Sequence, residues 1–305
     1  MKQKPLISVI LPVYNSDSFL EESIKSILNQ TMINFELIII NDGSTDKSLE
    51  ICENFKKIDY RISILSNKHK GLTKSLNEGI NFASGKYIAR QDADDLSDNK
   101  RFEKQIKWFE KNPGSVLCGT NTIIKDQNNK KKINKVICFE HSKIIKRLEY
   151  TNCFAHSSVM FLKDIAIKVD KYDENLLHSQ DYDLWCKMSL VGKTGNLREK
   201  LIIVNERADS ISKKNSDRQF IDFINSSLKY RLLKKGLIGL KDKRNFQELL
   251  NYPIAKNHKI ILQYLYNDKL KEKKKFSDLN LKQKIYSFRY YYLYIRKILN
   301  FLFNK

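Results

Sequence analysis

The sequence predicts an α/β fold: a mainly parallel sheet flanked by helices, continued by a helical C-terminal region. Two observations carry this reading. From residue 6 to residue 112, short apolar runs alternate with segments of helical periodicity. That is the pattern of a parallel sheet whose crossover helices cover both faces. Beyond about residue 215 only helical patterning remains. The expected domains are therefore 1–214 and a basic helical region, 215–305. A chain of 305 residues accommodates both, and 41% hydrophobic with 30% charged residues marks a globular protein and excludes a disordered one.

Each element has its own signature. "LISVILPVY" (6–14) is a near-continuous apolar run with β-branched residues and reads as a buried parallel strand. Asn15 and Ser16 then cap a helix with Phe19, Leu20, Ile24, Ile27 and Leu28 on one face. "FELIIIN" (35–41) is a second buried strand, and Ser44 or Thr45 is the expected cap of the next helix. "RISILS" (61–66) is a third strand, followed by a helix over 72–83. "KYIARQD" (86–92) is a fourth strand, ahead of a helix over 100–112. Further strands are expected at 115–124, 156–163 and 197–206. A helix is expected at 180–192, with Leu184, Trp185, Met188 and Leu190 facing inward.

Charge and cysteine usage bound the setting. Five scattered cysteines lack zinc-ligand or redox spacing, so they read as reduced cytosolic thiols. The start, "MKQKPLISVILPVYN", lacks a small-residue cleavage site and is not read as a signal peptide. No apolar run reaches the roughly 18 residues of a membrane span. The expected location is the cytosol, free or peripheral to the inner face of the membrane. The net charge is +21, and residues 215–305 contribute +14 of it, with 21 Lys+Arg against 7 Asp+Glu. Such a tail suits an anionic partner. No nucleic-acid motif accompanies it.

Three polar segments fall at the ends of predicted strands: Pro12–Asn15, Asn41–Asp46 and Asp92–Asp95. Parallel sheets bind ligands beyond the carboxyl ends of their strands, so these loops form one candidate site. In an extended turn Asp92 and Asp94 project to the same side, about 6–7 Å apart. Paired carboxylates of this kind suit a hard divalent cation, Mg2+ or Mn2+, with substrate phosphates as further ligands. Asp95 and Asp98 are expected to cap the following helix. Asp42 precedes a turn glycine and is placed to accept hydrogen bonds from a nucleobase imide or a ribose hydroxyl. Asp181 and Asp183 open the 180–192 helix, where a carboxylate could serve as a general base.

These residues resemble a known family. "SVILPVYN", "ELIIINDGSTD", "LTKSLNEGI", "ASGKYIARQDADD", "HSSVMF" and "QDYDLW" occur in the order and spacing of family 2 glycosyltransferases of the GT-A, Rossmann-like fold. The resemblance covers roughly residues 6–212. It implies an inverting transferase that takes a sugar from a nucleotide-diphosphate donor, most often UDP-linked, with a divalent metal. By the same resemblance Pro12, Val13, Tyr14 and Asn15 form the first nucleotide-contacting loop, Asp42 binds uracil, and Asn77 lies near the base and sugar. Asp94 is the direct metal ligand, Asp92 binds ribose or metal-bound water, and Asp181 is the base. Trp185 is expected to pack rather than react. Two positions depart from the family pattern. Gln180 stands where the family often has Glu, and no histidine precedes "SIS" (210–212), where Arg207 sits instead as a candidate diphosphate contact. His156 is assigned to acceptor-site packing or a hydrogen bond rather than to metal.

The resemblance thus implies transfer to an acceptor hydroxyl on a glycan or lipid-linked glycan, in cell-surface polysaccharide synthesis. A nucleotidyltransferase would usually need a Gly-rich phosphate loop after the first strand, and "LPVYNSDSF" offers none. A non-catalytic sugar- or anion-binding protein would not need Asp94 and Asp181. In 269–303, "KLKEKKKF" precedes a stretch in which Lys and Arg interleave with Tyr, Phe, Leu and Ile. That stretch is expected to lie on an anionic membrane surface or to dock on protein.

Overall fold

The computed structural model describes residues 4–126, 130–134, 138–206 and 216–240. The chain divides into two units, Met1–Arg207 and Ala208–Lys305. In the first, β1 (Ile7–Val13), β2 (Phe35–Asn41), β3 (Ile62–Ser66) and β4 (Tyr87–Arg90) pair in parallel in the order β3-β2-β1-β4. The sheet continues through β8 (Met160–Leu162), β6 (Ser115–Lys125) and β9 (Lys193–Asn205) to β5 (Leu96–Ser97), while β7 (Lys131–Asn134) pairs with β6. β8 runs antiparallel to both β4 and β6, so β6 and its parallel partner β9 share the direction of β1.

The pleat sorts the core onto two faces. Ile7, Val9, Leu11 and Val13 of β1 pack in one cluster with Leu20, Ile24 and Ile27 of α1 (Asp17–Leu28). Cys52 of α2 (Ser48–Ile58) joins them, with Phe102, Ile106 and Phe109 of α4 (Arg101–Lys111). Fully burying such a side chain contributes about 1.5–3 kcal/mol. Ile10 and Ile40 face the other way, against α3 (Leu72–Phe82). A Cβ on Gly79 of α3 would lie 2.8 Å from Ile10 Cγ2 and 3.0 Å from Ile40 Cδ1, so this glycine lets the helix lie close on the sheet. Helices therefore cover both faces, as the alternating pattern requires. All five cysteines are buried and free.

Several local expectations are corrected. Ser44 and Thr45 do not cap α2, because they bond to Asn15 instead. Lys47 occupies the cap position, and Asp46 before it accepts the Ser48 N–H at 2.9 Å and the Asp17 N–H at 3.1 Å through its carboxylate. The expected strand at 156–163 divides into a 3-10 turn, His156–Ser158, and β8. β9 starts at Lys193, before the expected 197, because Lys193–Gly195 pair with the start of β6. The chain also forms α5 (His141–Arg147) and α6 (Lys163–Lys168). α7 (Gln180–Ser189) matches the expected helix but ends earlier. In the second unit α8 spans Ser216–Lys234. The basic aromatic stretch at 269–303 lies outside the described residues. Among the described residues no helix is long and apolar enough to cross a membrane.

Candidate active site

The site begins where β1 and β4 stop pairing. Pro12 lies opposite Ile40 of β2. On the β4 side the last β1 residue in register is Ile10, whose carbonyl accepts the Gln91 N–H at 3.2 Å. Backbone groups alternate direction along a strand, so Pro12 faces the side where β4 has ended. Its missing N–H breaks no ladder bond there. β2 flanks β1 on one side and β4 on the other, which makes this a topological switch point of the kind that binds ligands.

The loops around it are tightly built. The buried Val13 accepts the Asp42 N–H through its carbonyl at 2.9 Å. Tyr14 is 48% exposed and stacks on His69, with ring centroids 4.3 Å apart. Asn15 adopts φ +47°, a left-handed conformation that Asn tolerates. Its side-chain oxygen accepts the Thr45 N–H at 2.8 Å, which joins the first loop to the second. Asp42 is buried. Its Oδ1 accepts the Lys70 N–H and its Oδ2 the Gly71 N–H, both at 2.9 Å, and His69 Nδ1 lies 3.0 Å from Oδ2. The carboxylate thus folds the 69–71 loop around itself, with the Tyr14–His69 pair beside it. Asn77 is committed to the frame. Its amide donates to the Tyr172 carbonyl at 3.0 Å and to Glu174 Oε1 at 2.9 Å, and its oxygen accepts the Tyr172 N–H at 3.1 Å.

The acidic loop follows β4. Asp92 keeps 35% of its side chain open to solvent, while its Oδ1 accepts from Arg90 Nη2 at 2.5 Å. Burial opposes its ionisation, but the Arg90 guanidinium prevails and holds the carboxyl below its ordinary range. Asp94 is half-buried, and its carbonyl accepts Asn205 Nδ2 at 2.5 Å. Asp95 does not cap α4. It is buried, with Oδ1 accepting the Asn205 N–H at 3.2 Å, so it ties the acidic loop to the end of β9. Burial, and then the charges of Asp92 and Asp94, push its carboxyl well above the ordinary range. Asp98 keeps a place before α4, accepting the Lys100 N–H at 2.9 Å.

Asp181 lies in the first turn of α7, and its Oδ2 accepts Asn152 Nδ2 at 2.9 Å. Burial raises its carboxyl above the ordinary value, and the charge of Asp92 adds a smaller rise. Asp183, two residues on, is buried and pairs with the buried Lys187 at 2.9 Å, which makes it a structural group. His156 Nε2 lies 3.0 Å from the Tyr172 hydroxyl, with its ring against Trp185. Burial and the Arg90 charge lower its pKa to about 3, so it is neutral near pH 7. Trp185 is fully buried among Phe154, His156, Phe161 and Tyr172. Arg207 lies outside the described residues.

Sequence reasoning missed the support beneath the acidic loop. Arg90 and Arg101 are both fully buried. Arg101 donates to Gln91 Oε1 at 3.0 Å, Ser97 Oγ at 3.0 Å, Gln105 Oε1 at 3.1 Å and the Arg90 carbonyl at 2.8 Å. Gln91 in turn donates to the Asp95 carbonyl at 2.6 Å. The signal was an arginine at the end of an otherwise apolar strand, "KYIAR". Asn152, the partner of Asp181, and Tyr172 left no local signal, because both come from irregular segments.

Among the described residues, no three His, Cys, Asp or Glu side chains gather to hold a metal. Asp92 and Asp94 together supply carboxylate oxygens beside Asp95, whose carboxyl is pushed above its ordinary range by burial and then by their charges. That concentration of negative charge fits a divalent cation that draws its remaining ligands from substrate and water.

Comparisons with known proteins identify the family and the fold. The family model for glycosyl transferase family 2 matches residues 8–170. An uncharacterized glycosyltransferase of Haemophilus influenzae is 33% identical over 284 residues, covering 87% of this chain and 86% of that protein. The O-antigen biosynthesis glycosyltransferase WbnJ of Escherichia coli is 32% identical over 236 residues, covering 76% of this chain and 91% of that protein. Among solved structures, S. aureus TarS in complex with UDP-GlcNAc gives a TM-score of 0.61 at 16% identity, covering 80% of this chain and 69% of that one. The mannosyltransferase PcManGT of Pyrobaculum calidifontis, in complex with GDP-Man and Mn2+, gives 0.55 at 15% identity, covering 78% and 66%. These structural likenesses show a shared fold. The matched family model and the two relatives show that the chain belongs to glycosyl transferase family 2.

Proposed function

We propose that the protein is an inverting, metal-dependent glycosyltransferase that moves a sugar from a UDP-linked donor to an acceptor hydroxyl on a growing cell-surface glycan. The observation that carries this reading is the cluster of polar loops at the switch point of the sheet, with Asp42 holding the 69–71 loop after β2 and Asp92 held by Arg90 after β4. The UDP-GlcNAc complex of TarS and the O-antigen role of WbnJ support the donor class and the pathway class.

In this mechanism the Asp42-anchored loop and the Pro12–Asn15 segment hold the nucleotide, with Tyr14 and His69 beside it. Asp94, with Asp92, would hold Mn2+ or Mg2+. The cation would stabilise the charge that grows on the departing diphosphate. Arg90 fixes Asp92 in place. Asp181 accepts the proton of the acceptor hydroxyl, and its raised pKa brings it closer to the working pH of a general base. The hydroxyl then displaces the nucleotide in one step from the opposite face of the sugar. His156 and Tyr172 shape the acceptor side, and Arg207 is a candidate contact for the diphosphate. The basic aromatic stretch 269–303 would hold the enzyme on the inner face of an anionic membrane, near a lipid-linked acceptor.

Incubation with UDP-, GDP- and dTDP-sugars and Mn2+ tests the reading. Release of the nucleoside diphosphate, dependent on Asp181 and Asp94, is expected. Pyrophosphate release would instead mark a nucleotidyltransferase, and binding without release a sugar-binding protein.

A further inference from the structure

A cavity of about 520 Å3 opens between α4, the segment at 138–141 and the start of β9. It falls within the roughly 300–1,000 Å3 range of small-ligand sites. It stands apart from the candidate active site. Ser115 and Lys193 in its wall begin the parallel strands β6 and β9, whereas the active site lies at the far ends of such strands. From Asn196 in its wall to Asn205 beside the acidic loop, β9 extends over roughly 30 Å of chain.

Its walls are set by packing. Trp108 of α4 lies directly over Gly195, where a Cβ would come within 2.4 Å of the indole Cζ2. Any larger residue at 195 would displace this ring. The Arg198 guanidinium, also in the lining, sits 4.2 Å from the centroid of the Phe139 ring. His141 Nδ1 accepts the Thr194 N–H at 3.2 Å, so in the neutral ring the proton is on Nε2. Burial and the Lys193 charge favour that neutral form. Glu140 and Glu199 add acceptors at the rim.

We propose that this cavity is a carbohydrate-binding site, separate from the transfer site, that takes one pyranose unit of a glycan chain. A pyranose presents an apolar C–H face to an indole and hydroxyls that both donate and accept. The cavity offers that combination: one aromatic platform, donors on His141 and Arg198, and acceptors on Glu140 and Glu199. Lys193 and Arg198 balance Glu140 and Glu199, so the lining has no net charge from these four to hold a phosphate or diphosphate, and an acyl chain would meet a charged rim. Identifying the bound glycan with the one being extended rests on the proposed transferase function; the site itself does not. A chain of contacts links its wall to the base. Asn196 Nδ2 donates to the carbonyls of Cys138 at 2.8 Å and Cys153 at 3.2 Å, and Cys153 follows Asn152, the partner of Asp181.

The chain has two tryptophans, and Trp185 is fully buried, so acrylamide quenching of tryptophan fluorescence reads Trp108. The full chain, saturated with UDP and Mn2+, would be titrated with glucose, galactose, mannose, N-acetylglucosamine, N-acetylgalactosamine, glucuronate and oligomers of each. At least one series should protect Trp108 from quenching. Arg198→Ala and Glu199→Gln, both at exposed positions, should weaken that protection about tenfold with an unchanged melting temperature. Asp181→Asn should leave it intact. The proposal is overturned if no sugar protects Trp108. It is equally overturned if protection vanishes in Asp181→Asn and survives Arg198→Ala, because the sugar would then occupy the transfer site. Absence of nucleoside diphosphate release from every donor in the activity assay would overturn the transferase reading and leave this outcome standing.

Discussion

Replacing Asn152 with alanine should move the acid limb of activity upward by about one pH unit. Asp181 Oδ2 accepts Asn152 Nδ2 at 2.9 Å, and burial already raises this carboxyl above its ordinary value. The Asn152 bond opposes that rise by favouring the ionised form, so its loss raises the pKa further. A hydrogen bond to a charged group contributes about 1.5–3 kcal/mol. Asp181 is partly open to solvent, and water would replace part of the lost bond, which leaves about 1–2 kcal/mol. At about 1.4 kcal/mol per unit, that corresponds to a shift of about one unit. Only the ionised carboxylate accepts the acceptor proton, so the variant should lose kcat/KM at a higher pH than the parent. The assay is the pH profile of kcat/KM from nucleotide release, with circular dichroism as the check on folding. A folded Asn152→Ala enzyme with an unmoved acid limb would refute the assignment of Asp181 as the base.

Other perturbations separate chemistry from support. Asp94→Asn should cut turnover by orders of magnitude with the fold intact, and EDTA should abolish activity until Mn2+ is restored; full turnover in EDTA would remove the metal from the account. Asp183→Asn should leave the Lys187 charge buried without its counter-ion and lower stability by about 3–5 kcal/mol in urea, with the folded fraction still active. A fully stable but inactive Asp183→Asn would mean that Asp183, and not Asp181, faces the substrate. Asp95→Asn carries a pH signature. The folded pKa of Asp95 is raised, so its favourable contribution is complete below the unfolded value of about 3.9 and is lost as pH rises through the folded value. In metal-free protein the variant's melting temperature should therefore gain on the parent's as pH rises from about 4, and a constant gap would contradict the burial and repulsion argued for this group.

Much of this molecule was legible because its parallel strands are buried on both faces. "ISVILPV" and "FELIIIN" announce themselves as largely apolar runs, and each leads into polar residues that the fold places at one switch point. The acidic loop and Asp181 were legible as charge where charge is costly. The connecting chemistry was not. Arg101 lies in "KRFEKQIKWF", where one more basic residue looks like a solvated helix face, yet it is fully buried and bonded to five oxygens. Asp95 looked like a helix cap because sequence spacing cannot show that β9 returns to place Asn205 beside it. Long-range packing joins the Asn77 amide to Tyr172 and Glu174, contacts that no local spacing shows. Side chains whose partners lie far along the chain carry no local pattern to read.

The central claim is a single displacement in which Asp181 activates the acceptor. Proton NMR of the product tests it most directly, using whichever α-linked nucleotide donor and acceptor the release screen identifies, with Mn2+ present. The anomeric coupling constant of the transferred sugar reports its configuration. The account predicts a β-linked product, formed by the parent enzyme and lost in Asp181→Asn. An α-linked product would contradict it, because retention requires a route other than direct attack from the opposite face.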